Sequence, residues 1–128
     1  MSIAIISKLN QLLSKSLPGG LLFAGWLRKE GYSSQLLKKY RDSGWLEALG
    51  RGVMYRRNDN LSALTAVHCY NYQTGNNARV AAHSALELHG FSHYIPMGKP
   101  RLMVAFESGS VEDWVRSDKY DMTIVPFH

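Results

Sequence analysis

The sequence predicts an α+β fold, and three observations carry that expectation. Apolar residues recur at helical spacing in three short segments within the first 43 residues. Two strand-like runs joined by glycines follow over 45–57. After residue 100 strand-like apolar runs return, at 102–106 and 122–126.

The first helix is expected over about 3–16, where Ile5, Ile6, Leu9, Leu12 and Leu13 make one apolar stripe and Lys8, Gln11 and Lys15 fall elsewhere. Leu17-Pro18-Gly19-Gly20 ends it, because proline disfavours helix before it and glycine breaks helix after it. A second helix is expected over 22–29, with Phe23, Trp26 and Leu27 inward and Gly31 just past its end. Ser33 is placed to cap a third helix that runs to about Asp42 and closes at Ser43-Gly44. Two helices joined by a short turn containing glycine match a helix-turn-helix. Trp45–Leu49, Gly50-Arg51-Gly52 and Val53–Arg57 then read as strand, turn and strand, with the glycines supplying positive φ. A hairpin in that position is a wing.

Beyond Asn58-Asp59-Asn60 a helix is expected over 61–73, with Leu64, Val67, Cys69 and Tyr72 among its apolar positions, then a turn at 74–77 and a further helix over 81–89. A short helix over 111–116 separates the last two strands. The division that follows is a winged helix-turn-helix over 1–58, a helical connector over 59–100, and the start of a second α/β domain over 101–128, in either a naturally short chain or a cut-down version of a longer one.

Charge separates these parts. Residues 1–57 hold ten Lys/Arg against three acids, +7, which leaves −2 of the net +5 for residues 58–128. A basic module ahead of a slightly acidic one points to a polyanionic partner for the first, or to a solvated basic surface. Along the third helix Leu36, Leu37 and Tyr40 share one side, Gln35, Lys38, Lys39 and Asp42 the opposite side, with Ser34 and Arg41 on the flank. Gln pairs bidentately with adenine and Lys or Arg with guanine in a major groove wide enough for a helix. Lys38 and Lys39 as phosphate contacts alone are the alternative. Arg51 at the tip and Arg56-Arg57 at the exit of the hairpin are placed to reach a flanking groove or the DNA backbone. The expected DNA-binding set is Ser34, Gln35, Lys38, Lys39, Arg41, Arg51, Arg56 and Arg57.

The stretch from Gly31-Tyr32-Ser33 through Lys38-Lys39-Tyr40-Arg41-Asp42-Ser43-Gly44-Trp45-Leu46 resembles the helix-turn-helix core of the AbiEi family of antitoxins, from type IV toxin–antitoxin systems. Gly50–Arg57 is similar to that family's wing. Ser84–Gly90 with His93–Gly98 is similar to its helical segment after the wing, so the resemblance spans roughly residues 5–105. It implies a repressor that binds inverted repeats upstream of its own operon, and a functional link to a nucleotidyltransferase-like toxin countered through a larger C-terminal domain.

Other chemistries find little support. His68, His83, His89, His93 and Cys69 form no CxxC or HExxH pattern, so no metal or other cofactor is expected. Cys69 beside His68 reads as a small buried hydrophobe, and Glu107, Glu112 and Asp113 as solvated. Neither GxxxxGK[ST] nor GxGxxG occurs, and Ser84 lies in no nucleophile elbow. A non-enzymatic, cytoplasmic regulator without membrane attachment is expected. A homodimer suits it, since a palindromic site takes two recognition helices. The rival is a protein-interaction module, with Trp26, Trp45 and Trp114 as sticky surface.

Overall fold

A computed structural model of the chain describes residues 3–81, 99–107 and 112–127. The expected helix over 81–89, and His83, His89 and His93, lie outside the described residues apart from residue 81. The described residues form a mixed α+β fold of four α-helices and two three-stranded sheets.

Helix α1 spans Ile3–Lys15 and buries Leu9 and Leu12, while Ile6 stays on the surface. The segment expected as one helix over 22–29 divides instead. Leu22–Phe23 is strand β1 and α2 spans Ala24–Lys29. Its first two residues extend because they pair antiparallel with Val53 and Met54 across a sheet, a partner that local periodicity does not reveal. Helix α3 spans Ser34–Asp42 and is followed by β2 (Leu46–Gly50) and β3 (Val53–Arg56).

These strands form an antiparallel sheet in the order β1-β3-β2. Alternation along its strands sends Leu22, Leu46 and Met54 to one face and Phe23, Val53 and Tyr55 to the other. The first set packs with Leu9, Leu12, Leu27, Leu37 and Tyr40 from the three helices. The second set belongs to a larger core that continues into the rest of the chain.

That core is closed by α4 (Ala63–Thr74) and a second sheet of β4 (Arg79–Val80), β5 (Arg101–Ala105) and β6 (Thr123–Phe127). Strand β4 pairs antiparallel with β5, and β5 parallel with β6. Ser62 caps α4 by accepting from the Thr65 N–H at 3.3 Å. On α4, Val67 and Cys69 are buried as expected, but Leu64 and Tyr72 are exposed. The inward face is made instead by Ala63, Ala66 and Tyr70, whose small or flat side chains let the sheets approach.

A four-residue 3-10 helix, Asp113–Arg116, stands where a short helix was expected. Its Trp114 is 1% exposed and so belongs to the core. Phe23, Tyr70 and Phe106 surround it at ring-centroid distances of 5.9, 5.2 and 6.0 Å. Glu112, expected as merely solvated, accepts a 2.8 Å hydrogen bond from the Trp114 indole N–H. The hairpin leans on this 3-10 helix: a Cβ at Gly50 would stand 3.2 Å from that of Asp113. Gly50 therefore answers to close approach, and Gly52, at φ 73°, alone in that turn meets the expected positive φ.

Candidate nucleic-acid interface

The site is built around α3. Ser33 is extended, and its hydroxyl accepts from the Leu36 N–H at 3.1 Å, which satisfies one free donor of the first turn. Gly44 and Trp45 close the other end by donating to the carbonyls of Arg41 and Tyr40 at 3.1 and 3.0 Å. Leu37 and Tyr40 seat the helix, and the Tyr40 hydroxyl donates to the Ile5 carbonyl of α1 at 2.9 Å. Tyr32, in the turn between α2 and α3, likewise donates to the Lys8 carbonyl at 3.0 Å. Burial raises the phenol pKa of both tyrosines above its ordinary value, so these clamps stay protonated at neutral pH.

With α3 held on its apolar side, Gln35, Lys38, Lys39 and Asp42 form an exposed ridge. Lys38 and Lys39 have no ion pair among the described residues. Ser34 and Arg41 turn into a cleft of about 330 Å³ between the helices and the hairpin, where Arg28 of α2 joins them. Arg41 is half-buried there, its Nη1 donating to the Met54 Sδ at 3.3 Å. On the other flank Gln35 and Lys39 line a second cleft, of about 350 Å³, with Ala4 and Lys8 of α1.

Arg28 and Lys8 were not among the sequence-derived candidates. Arg28 sits in the last turn of α2, just ahead of α3, and that position was the available signal. Lys8 comes into place only through the packing of α1 on α3, which no local pattern announces. Its ammonium donates to the Gly31 carbonyl at 2.8 Å.

The hairpin arginines divide. Arg51 stands exposed in the Arg51-Gly52 turn. Arg56 and Arg57 lie at the far end of β3, roughly 13 Å away by strand rise. They line a cleft of about 410 Å³ with Leu13, Gly44, Trp45 and Asn58. Arg56 is 3.7 Å from the Asp59 carboxylate and Arg57 is 3.8 Å from that of Glu47. Asp59 also accepts from the Gly19 N–H at 2.8 Å, which anchors this loop to the end of α1.

Among the described residues no group of three or more His, Cys, Asp or Glu gathers in a way that could hold a metal ion, and no helix is long and apolar enough to cross a membrane. Cys69 is buried, and burial pushes its thiol pKa up. That is the setting of an unreactive packing residue.

Fold and site together define a mixed α+β domain that offers solvent one polar helix ridge with cations on both flanks. A family model described as a transcriptional regulator, AbiEi antitoxin N-terminal domain, matches residues 6–97, and the chain belongs to that family. No curated protein and no solved structure matches it. The family is a class of regulators and not of enzymes.

Proposed function

We propose that this chain binds double-stranded DNA sequence-specifically as a winged helix-turn-helix and represses its own operon. The observation that carries the reading is the exposed Gln35-Lys38-Lys39 ridge on a helix fixed from behind by Leu37 and Tyr40. The order helix, strand, helix, helix, hairpin with a β1-β3-β2 sheet supports it. In this reading α2 and α3 are the helix-turn-helix, and β2 and β3 the wing. Gln35 reads an adenine edge, and Lys38 and Lys39 meet guanine edges or phosphates. Ser34, Arg41 and Arg28 hold the phosphates beside the α3 groove, and Arg51 reaches the neighbouring minor groove. Arg56 and Arg57 serve backbone farther along the duplex, after exchanging their surface carboxylate partners for phosphate. Two copies take the two halves of an inverted repeat.

The antitoxin link to a nucleotidyltransferase-like toxin belongs to the same proposal, as do a cytoplasmic place of action and the absence of catalysis. Fluorescence anisotropy against a duplex from just upstream of the coding region, and against a scrambled duplex, tests the DNA reading. Selective binding with a steep negative dependence on log salt is the expected result. Equal binding to both duplexes reduces the site to a basic patch. No binding at low salt transfers the function to protein contacts, for which the exposed Trp45 and Tyr72 are the first surface to try.

A further inference from the structure

A helix lying in a major groove about 12 Å wide nearly fills it and has a sugar–phosphate strand on each side. In the operator reading, Arg28, Ser34 and Arg41 serve the strand on the hairpin side of α3. The α1 side carries a second cationic cleft. Ala4 and Lys8, one turn apart on α1, and Gln35 and Lys39, one turn apart on α3, line the same space of about 350 Å³.

Lys8 is fixed at that cleft by neutral partners. Its ammonium donates to the Gly31 carbonyl at 2.8 Å and lies 5.7 Å from the centroid of the buried Tyr32 ring, both in the turn that leads into α3. Neither partner cancels its charge, and Lys8 has no ion pair among the described residues. An ammonium carries three donors, so two remain for an anion. Lys15 makes the contrast. It too is exposed on α1 and lies 5.9 Å from the same ring, but it stands 3.9 Å from the Glu30 carboxylate and does not line the cleft.

We propose that Lys8 and Lys39 hold the DNA strand on the α1 side of α3, so that both walls of the major groove are gripped. The lining suits a sugar–phosphate backbone better than a free anion. Lys8, Lys39 and the Ser33 hydroxyl, which accepts from the Leu36 N–H and keeps its own proton to donate, meet phosphate oxygens. Ala4 and Leu36 lie against deoxyribose carbons. Because Lys8 is already held in place, little side-chain freedom is lost on contact. The bond to Gly31 also ties α1 to the turn before α3, so this contact fixes the recognition helix against the strand it follows. The inference rests on the operator reading and adds to it a contact from α1, outside the helix-turn-helix.

Anisotropy titrations of the full chain with the upstream and scrambled duplexes, over a salt series, test it. Lys8→Gln is expected to make the log–log salt slope shallower by about one and to weaken both duplexes by the same factor, because a phosphate contact carries no sequence information. Lys15→Gln removes the same charge from the same helix and is expected to keep the parental slope. Far-UV circular dichroism is expected to be the same for all three chains, since both lysines are exposed. A wild-type chain that binds selectively with a steep slope, matched by Lys8→Gln, would overturn this contact and leave the operator reading intact. Equal shifts in the two variants would reduce Lys8 to general charge and overturn it as well. Lost selectivity at an unchanged slope would make Lys8 a brace for the turn and no DNA contact. Failure of the wild-type chain to bind either duplex removes the operator reading, and this contact with it.

Discussion

Lys38 and Lys39, unlike Arg56 and Arg57, have no ion pair among the described residues to give up before meeting a phosphate. Arg56 and Arg57 stand beside carboxylates, and Arg41 rests on the Met54 sulfur. Charge-neutral Lys38→Gln or Lys39→Gln variants are therefore expected to weaken DNA binding. Each is also expected to lower the log–log salt slope by roughly one for every phosphate no longer neutralised, read by anisotropy over a salt series. Another residue-scale effect concerns pH. Tyr55 is buried and donates to the Glu47 carboxylate at 2.7 Å. Burial first, then that hydrogen bond, push its pKa from 10.0 to about 12. The unfolded chain then releases this proton more readily than the folded one. The Tyr55 contribution to stability is complete below pH 10 and falls as pH rises from there toward 12. Urea denaturation over that range is expected to show a decline that Tyr55→Phe makes shallower.

At the scale of elements, strand β1 exists because two other elements supply what a two-residue strand lacks. Strand β3 pairs with one side of it, and the Gln73 side chain from α4 serves the other. The Gln73 carboxamide accepts from the Phe23 N–H and donates to the Leu21 carbonyl, both at 2.8 Å. An amide side chain thus takes the place of a neighbouring strand. Gln73→Leu leaves both buried backbone groups unpaired and is expected to cost about 2–4 kcal/mol of stability in urea unfolding. Helix α3 depends more on its ends and its seat. Ser33→Ala removes the cap and is expected to cost about 1 kcal/mol. Leu37→Ala opens a cavity beneath the ridge, with an expected loss of about 2–5 kcal/mol.

For the whole molecule, the decisive feature is that the β1-β3-β2 sheet has no solvent face. The helices cover one side, and α4, the second sheet and Trp114 cover the other. A fragment ending at residue 58 would leave Phe23, Val53 and Tyr55 in water. We expect it to lack a cooperative unfolding transition, with circular dichroism against temperature as the check. In the full chain Trp114→Ala is expected to cost about 3–5 kcal/mol. It should move helix and tryptophan signals together, since Trp114 packs on Phe23 from the first sheet and on Tyr70 from α4. Separate transitions in the two signals would instead favour folding units divided near residue 58.

Much of this protein could be read locally. The α3 pattern of Ser33, Leu37, Tyr40 and Gly44 fixes cap, buried side and stop within a dozen residues, because a helix's hydrogen bonds and periodicity are internal to it. The exposed ridge of Gln35, Lys38 and Lys39 follows from the same arithmetic, as does the Arg51-Gly52 turn. Strands β1 and β4, two residues each, were not legible, since a short strand is defined by a partner far away in sequence. Nor was the place of Arg28 and Lys8 beside the ridge, whereas the separation of Arg51 at the tip from Arg56 and Arg57 at the exit was already plain from the hairpin pattern. Sequence alone located α1, α3 and α4, the basic hairpin and the polar face of α3. The tertiary structure decided which cations stand together and which tryptophan is core, because burial and charge proximity depend on which elements pack against one another.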